Sequence, residues 1–227
     1  MPKPVVEPSS DIGTMTSYTP ELLGALALFA FASSITPGPN NAMLMASGAN
    51  FGLVRTLPHL AGVVLGFALL LLAVGFGLGG LFAAVPLAHT VLKAVGAAYL
   101  IWLAWKIATA RGMGEGAAAR RPFSFLQAAG FQWVNPKAWT MAVGVAAAYV
   151  PQQGGASDML LAGLIVFLIS IPSAAAWAGS GVALRRLLNR PGALRLFNWT
   201  MAALLLASLT PVVIELVRAA AGGGKAA

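Results

Sequence analysis

The chain has no cysteine, which excludes disulfides, thiolate metal ligands and a sulfur nucleophile. Its two histidines, His59 and His89, are too few and too far apart in sequence for a metal site. Only 6 of 227 residues are acidic, and none falls well inside an apolar run, since Glu21 and Glu215 lie near run ends. Paired carboxylates for acid–base work are therefore missing, as is a nucleophile with its base. No enzyme activity, cofactor or metal is expected. Charge of either sign is scarce: 9% of residues are charged and 59% hydrophobic, against about 25% charged in soluble domains. Such a chain cannot cover itself with polar surface, so lipid is its solvent.

What is present is a series of long apolar runs. Measured against the roughly 20 residues a helix needs to cross a bilayer, they give six spans, from Glu21 to Asn50, Leu57 to Phe82, Leu87 to Ile107, Phe125 to Tyr149, Met159 to Leu184 and Trp199 to Val217. Runs of this length without alternation suit helices and not a barrel. The fold class expected is an all-α, multi-pass membrane protein. Residues 1–20 read as a disordered N-terminal tail, because Lys3 is followed by Glu7, Asp11 and prolines where a signal peptide would have an apolar core. Translation is expected to start at Met15. Residues 21–110 form a first membrane unit, 111–124 a loop, 125–218 a second unit and 219–227 a disordered C-terminal tail.

Fourteen Lys and Arg against six acids give a net charge of +8. The charges sit between apolar runs, so topology explains them and no nucleic-acid partner is expected. Arg55, Lys106, Arg111, Arg120, Arg121, Arg185, Arg186, Arg190 and Arg195 follow the odd-numbered spans, whereas Lys3, Lys93, Arg218 and Lys225 lie on the other side. By the positive-inside rule the first set is cytoplasmic, so the loop 111–124 is cytoplasmic and both termini are outside. In the second span, Gly62 with Gly66 and Gly75 with Gly79 place small residues one turn apart for close helix packing. The G-x-G-x-x-G from Gly75 to Gly80 follows no strand and carries no dinucleotide site.

Two spans, the first and the fourth, are interrupted. Thr36-Pro37-Gly38-Pro39-Asn40-Asn41 lies deep in the first, where its prolines remove donors and clash with the preceding turn. Gln132-Trp133-Val134-Asn135-Pro136-Lys137 lies at the matching place in the fourth. Two triplets of spans, each opening on a broken helix, fit inverted repeats that meet near the midplane. A helix restart exposes N–H groups and a positive dipole end to a carboxylate, and Asn40 or Asn41 is a candidate cap for it. Carbonyls freed around Ile35 and Thr36 suit an ammonium group. Lys137 is a base within a span, at an insertion cost of about 2.5 to 3.5 kcal/mol, and serves either a substrate carboxylate or proton coupling; the alternative is that it snorkels to the interface. His59 is a second proton-coupling candidate, with an interfacial role as its alternative. Trp139 is near enough to the second break to line a pocket; Trp133, Trp102, Trp105 and Tyr99 read as packing or interface residues.

Ser34-Ile35-Thr36-Pro37-Gly38-Pro39-Asn40-Asn41, followed by Ala46-Ser47-Gly48-Ala49-Asn50-Phe51-Gly52, resembles the signature of the lysine exporter (LysE/RhtB) superfamily, in its threonine and homoserine efflux branch. Gly96-Ala97-Ala98-Tyr99-Leu100-Ile101-Trp102-Leu103-Ala104-Trp105-Lys106 is similar to the cysteine and O-acetylserine exporters, and Phe131 to Trp139 resembles the wider family. The resemblance runs from about Thr19 to Val217. It implies a secondary active transporter in a bacterial inner (plasma) membrane that exports amino acids or derivatives, small neutral ones first, driven by protons. The substrate-binding residues expected are Thr36, Pro37, Gly38, Pro39, Asn40, Asn41, Gln132, Asn135, Pro136, Lys137 and Trp139. A passive channel, for which the spans have little polar lining, and a non-transporting scaffold are the alternatives. A homo-oligomer is left open.

Overall fold

The computed structural model describes residues 17–78, 80, 84, 86–109, 121–151, 154–188, 190–210, 213–214 and 216–217. The expected start at Met15, most of the N-terminal tail, loop residues 111–120 and the C-terminal tail lie outside them, as do Gly79, Glu215 and the side chains of His89, Lys93, Lys106 and Arg186. Among the described residues every regular element is helical.

Helix α1, Pro20–Ile35, starts on Thr19, whose side chain accepts from the Leu22 N–H, with Pro20 in its first turn. It stops at Thr36, which is extended (ψ 134°) because Pro37 disfavours the helical region for the residue before it. Helix α2, Pro39–Phe51, resumes after a bend of 55°. Gly52, at φ 80°, ends α2 in a conformation that suits glycine and leads into α3, Leu53–Ala73, which passes into a π-helical turn at Val74–Leu78. Helix α4 is Pro86–Ala108. Ser124 and Gln127 form a capping box for the short α5, Phe125–Phe131. A 3-10 turn, Gln132–Val134, and Asn135 separate it from α6, Pro136–Ala148. Helices α7, Ala156–Leu188, and α8, Pro191–Ser208, complete the set.

Leu53–Leu78 and Ala156–Arg185 are each long and apolar enough to cross a membrane, α1 with α2 forms a bent third span, and α4 and α8 contain shorter apolar stretches. The last expected span begins earlier than Trp199: α8 starts at Pro191, since proline is favoured in a first turn where its missing N–H costs nothing. Likewise α3 begins at Leu53, carrying Pro58 within it, and α7 runs through Arg185.

Polarity is arranged inside out. Along α7, Leu160, Leu164, Leu168 and Ile171 are exposed, while Ala162, Ser170, Ser173 and Ala178 are buried. Leu126 is 77% and Trp105 67% exposed, yet Asn41, His59, Gln132 and Asn135 are buried. This distribution is stable where the surroundings are hydrocarbon. The chain is a multi-pass membrane protein.

Small residues set the helix crossings. The expected Gly62/Gly66 pair packs against α5, where a methyl would strike the Phe125 carbonyl and Ala129. A methyl on Gly48 would meet the Ala178 backbone of α7, and one on Gly181 the Met45 carbonyl of α2. Gly75 faces the Met159 side chain. Ahead of α1, the end of the expected tail is tied down: buried Asp158 accepts from the N–H groups of Ser17 (3.0 Å) and Gly155 (3.3 Å). Burial, and then the Asp158 carboxylate, push the Tyr18 phenol up to about 12.

Candidate functional site at the two helix breaks

The first break leaves α1 with carbonyls that have no partner in the next turn. The Asn41 side-chain amide turns back to fill that role, donating to the carbonyls of Ser34 (2.8 Å) and Thr36 (2.9 Å). The expectation that Asn40 or Asn41 caps the restart is therefore corrected. The cap position of α2 is Gly38, in extended conformation, and no side chain bonds there. Both asparagine side chains are engaged elsewhere, and the first intrahelical bond is from the Ala42 N–H to the Gly38 carbonyl. The backbone N–H groups of Asn40 and Asn41 thus stand at a bare, electropositive helix start.

The second break is closed differently. Asn135 caps α6 with its own side chain, accepting from the Lys137 N–H at 3.1 Å. The indole N–H of Trp139 donates to the Trp133 carbonyl at 2.8 Å, which staples the 3-10 turn to α6.

These two breaks meet. Asn40 and Gln132 exchange side-chain amide hydrogen bonds of 2.8 and 3.0 Å, and Gln132, fully buried, also donates to the Ala128 carbonyl. The Lys137 Nζ reaches the carbonyls of Thr36 (2.7 Å) and Pro37 (3.4 Å). The carbonyls expected to receive an ammonium group do so, from the protein's own lysine. The approach is close enough that a methyl at Gly38 would lie 2.9 Å from the Lys137 Cδ.

A cavity of about 60 Å³ opens at this junction, lined among others by Gly38, Asn40, Asn41, Asn135 and Lys137. It has room for about four to six waters at ~10–15 Å³ each. Pro39 also lines it, whereas Thr36 and Pro37 contribute carbonyls to Lys137, and Gln132, Pro136 and Trp139 stand behind the wall. Trp139 is buried in the core with Leu26 and Val166, so its expected place as a lining residue is not where the structure puts it. His59 is apart from this cavity, buried on α3 with its Nδ1 2.8 Å from Ser47 Oγ.

Sequence reasoning missed Ser170 and Ser173 of α7, which line the cavity. The Ser173 hydroxyl is buried without a partner, while Ser170 bonds the Val166 carbonyl. Their signal was Ser170-Ile171-Pro172-Ser173, two hydroxyls flanking a proline in an otherwise apolar helix.

Residues 31–210 match the family model described as LysE type translocator. Among relatives, the cysteine/O-acetylserine efflux protein of Escherichia coli (strain K12) is 33% identical over 191 residues, 82% of this chain and 95% of the relative. The protein of the same description from Klebsiella pneumoniae is 32% identical over 201 residues, 87% of this chain and all of the relative. No solved structure matches. The chain therefore belongs to the LysE type translocator family and is a membrane transporter, not an enzyme.

Proposed function

We propose that the chain is a secondary active exporter, driven by inward proton flow, that carries small amino acids or their derivatives out of the cytoplasm through the cavity at the two breaks. One observation carries this reading: a bare helix start and a lysine ammonium line one cavity although they come from opposite halves of the sequence, and the lysine rests on the carbonyls of Thr36 and Pro37. A zwitterion has the complementary groups. Its carboxylate accepts from Lys137 and from the N–H groups of Asn40 and Asn41, and its ammonium replaces Lys137 at the Thr36 and Pro37 carbonyls. The lysine is in this sense a resident stand-in for the substrate cation. Ser173 is left to meet a polar side chain. O-acetylserine and cysteine, the compounds named for the relatives, are small amino acids of this zwitterionic kind.

The architecture proposed is a pair of inverted three-helix repeats, residues 21–110 and 125–218, that rock against each other. Its support is the contact pattern. Helix α1 packs on α7 as α5 packs on α3, α2 packs on α7 as α6 packs on α3, and α4 pairs with α8. A two-fold exchange of the halves maps these pairs onto one another, although α2 also packs on α3 without an equal contact of α6 on α7. The Arg-rich ends face the cytoplasm of a bacterial inner membrane and both termini face out. A reporter active only in the cytoplasm, fused after Ala227, is expected to be silent; strong activity would reverse the orientation. Lys137 is the proposed proton carrier, being the ionisable residue among those that line the cavity.

In proteoliposomes with an imposed proton gradient, labelled O-acetylserine or cysteine is expected to be transported against its own gradient, and a protonophore is expected to abolish the accumulation. Movement indifferent to the protonophore would instead assign a passive channel, and no movement of either compound would exclude both as substrates.

A further inference from the structure

A second cavity, about 30 Å³, lies along the same seam between α2 and α3. Met43 and Ser47 follow Asn40 along α2 by about one and two turns, and His59 precedes Val63 by one turn on α3, where Val63 lines the first cavity. The seam thus runs from the breaks toward the Arg-rich end. The wall of this second cavity is apolar, with Met43, Leu103 and Phe123 in it, except for Ser47, His59 and Arg121.

His59 is 1% exposed, and its Nε2 has no partner. A buried polar atom left unpaired is a net loss to the fold, so packing alone would favour a leucine there. The tautomer in which Ser47 donates to Nδ1, across 2.8 Å, puts the ring proton on Nε2. His59 and Arg121 both line this one small space, and two donor side chains there call for an acceptor with negative charge. Phe123, with its ring centroid 5.3 Å from that of His59, comes from the segment that carries Arg121 into α5.

We propose that this cavity is an entry subsite on the cytoplasmic side, in which Arg121 and His59 Nε2 hold the carboxylate of an incoming amino acid before it passes along the α2–α3 seam to the breaks. The subsite rests on the exporter reading above and adds a second place where substrate binds.

The test is uptake of labelled O-acetylserine into inside-out membrane vesicles, with competition by the unlabelled compound from the opposite face. Arg121→Gln and His59→Gln are each expected to raise KM at the cytoplasmic face about tenfold, with kcat within about twofold and competition from the far face unchanged. An unchanged KM in both variants, a fall in kcat at constant KM, or equal weakening at both faces would overturn the subsite. Should His59→Gln be lost from the membrane, Arg121→Gln, on an exposed side chain, carries the test. No uptake by wild-type vesicles would overturn the exporter reading, and the subsite with it, whereas normal wild-type uptake combined with unaffected variants removes the subsite alone.

Discussion

Lys137→Ala is expected to lower efflux of labelled O-acetylserine at least about thirtyfold while the protein still reaches the membrane in normal amount. The side chain spans the two breaks, so its loss removes the cation at the Thr36 and Pro37 carbonyls and the one expected to meet a substrate carboxylate. Losing one partner of a desolvated charged contact costs about 2–5 kcal/mol, and each 1.36 kcal/mol is about tenfold in rate. Folding is less affected, because the Thr36 carbonyl keeps its bond from Asn41. Asn40→Ala has a different signature. It leaves the buried Gln132 side-chain oxygen without its donor, at a cost of about 1–3 kcal/mol, so this variant should lose thermal stability as well as transport. Wild-type efflux by Lys137→Ala would dispose of the break junction as the binding centre.

Gly48→Val is expected to prevent recovery of monodisperse protein in detergent, or to lower its melting temperature sharply, and Gly181→Val to do the same. Each methyl would enter the backbone of the facing helix, Ala178 in one case and Met45 in the other. Backbone cannot step aside as a long side chain can, so the cost lies at or above the ~1–3 kcal/mol typical of overpacking. Gly24 is the control, since nothing lies within 4 Å of a methyl placed there. Gly24→Ala should leave stability unchanged or raise it by up to about 1 kcal/mol through helix propensity. Equal behaviour of Gly48→Val and Gly24→Ala would mean that α2 and α7 are not in backbone contact.

Much of the helix inventory could be read from proline and glycine alone. Pro37, Pro39 and Pro136 act on their own backbone and that of the preceding residue, which is why the positions of both breaks follow from sequence. The start of α8 was misplaced for a related reason: a hydropathy window penalises Arg195 and Asn198, whereas the helix begins at Pro191, where proline is locally favoured. Gly62 and Gly66 were likewise legible, because only small residues permit the approach that α5 makes.

By itself the sequence determined that lipid is the solvent, that the elements are helices and that two of them are broken, since these follow from composition and from backbone chemistry within a few residues. Tertiary structure alone decided that the breaks meet, that Asn40 finds Gln132, that Lys137 crosses to Thr36 and that Ser173 and His59 face cavities. The reason is that a leucine packs as well against an acyl chain as against a neighbouring helix. Hydropathy therefore cannot say which face of a membrane helix turns inward, and that rotation is what brings side chains far apart in sequence to one point.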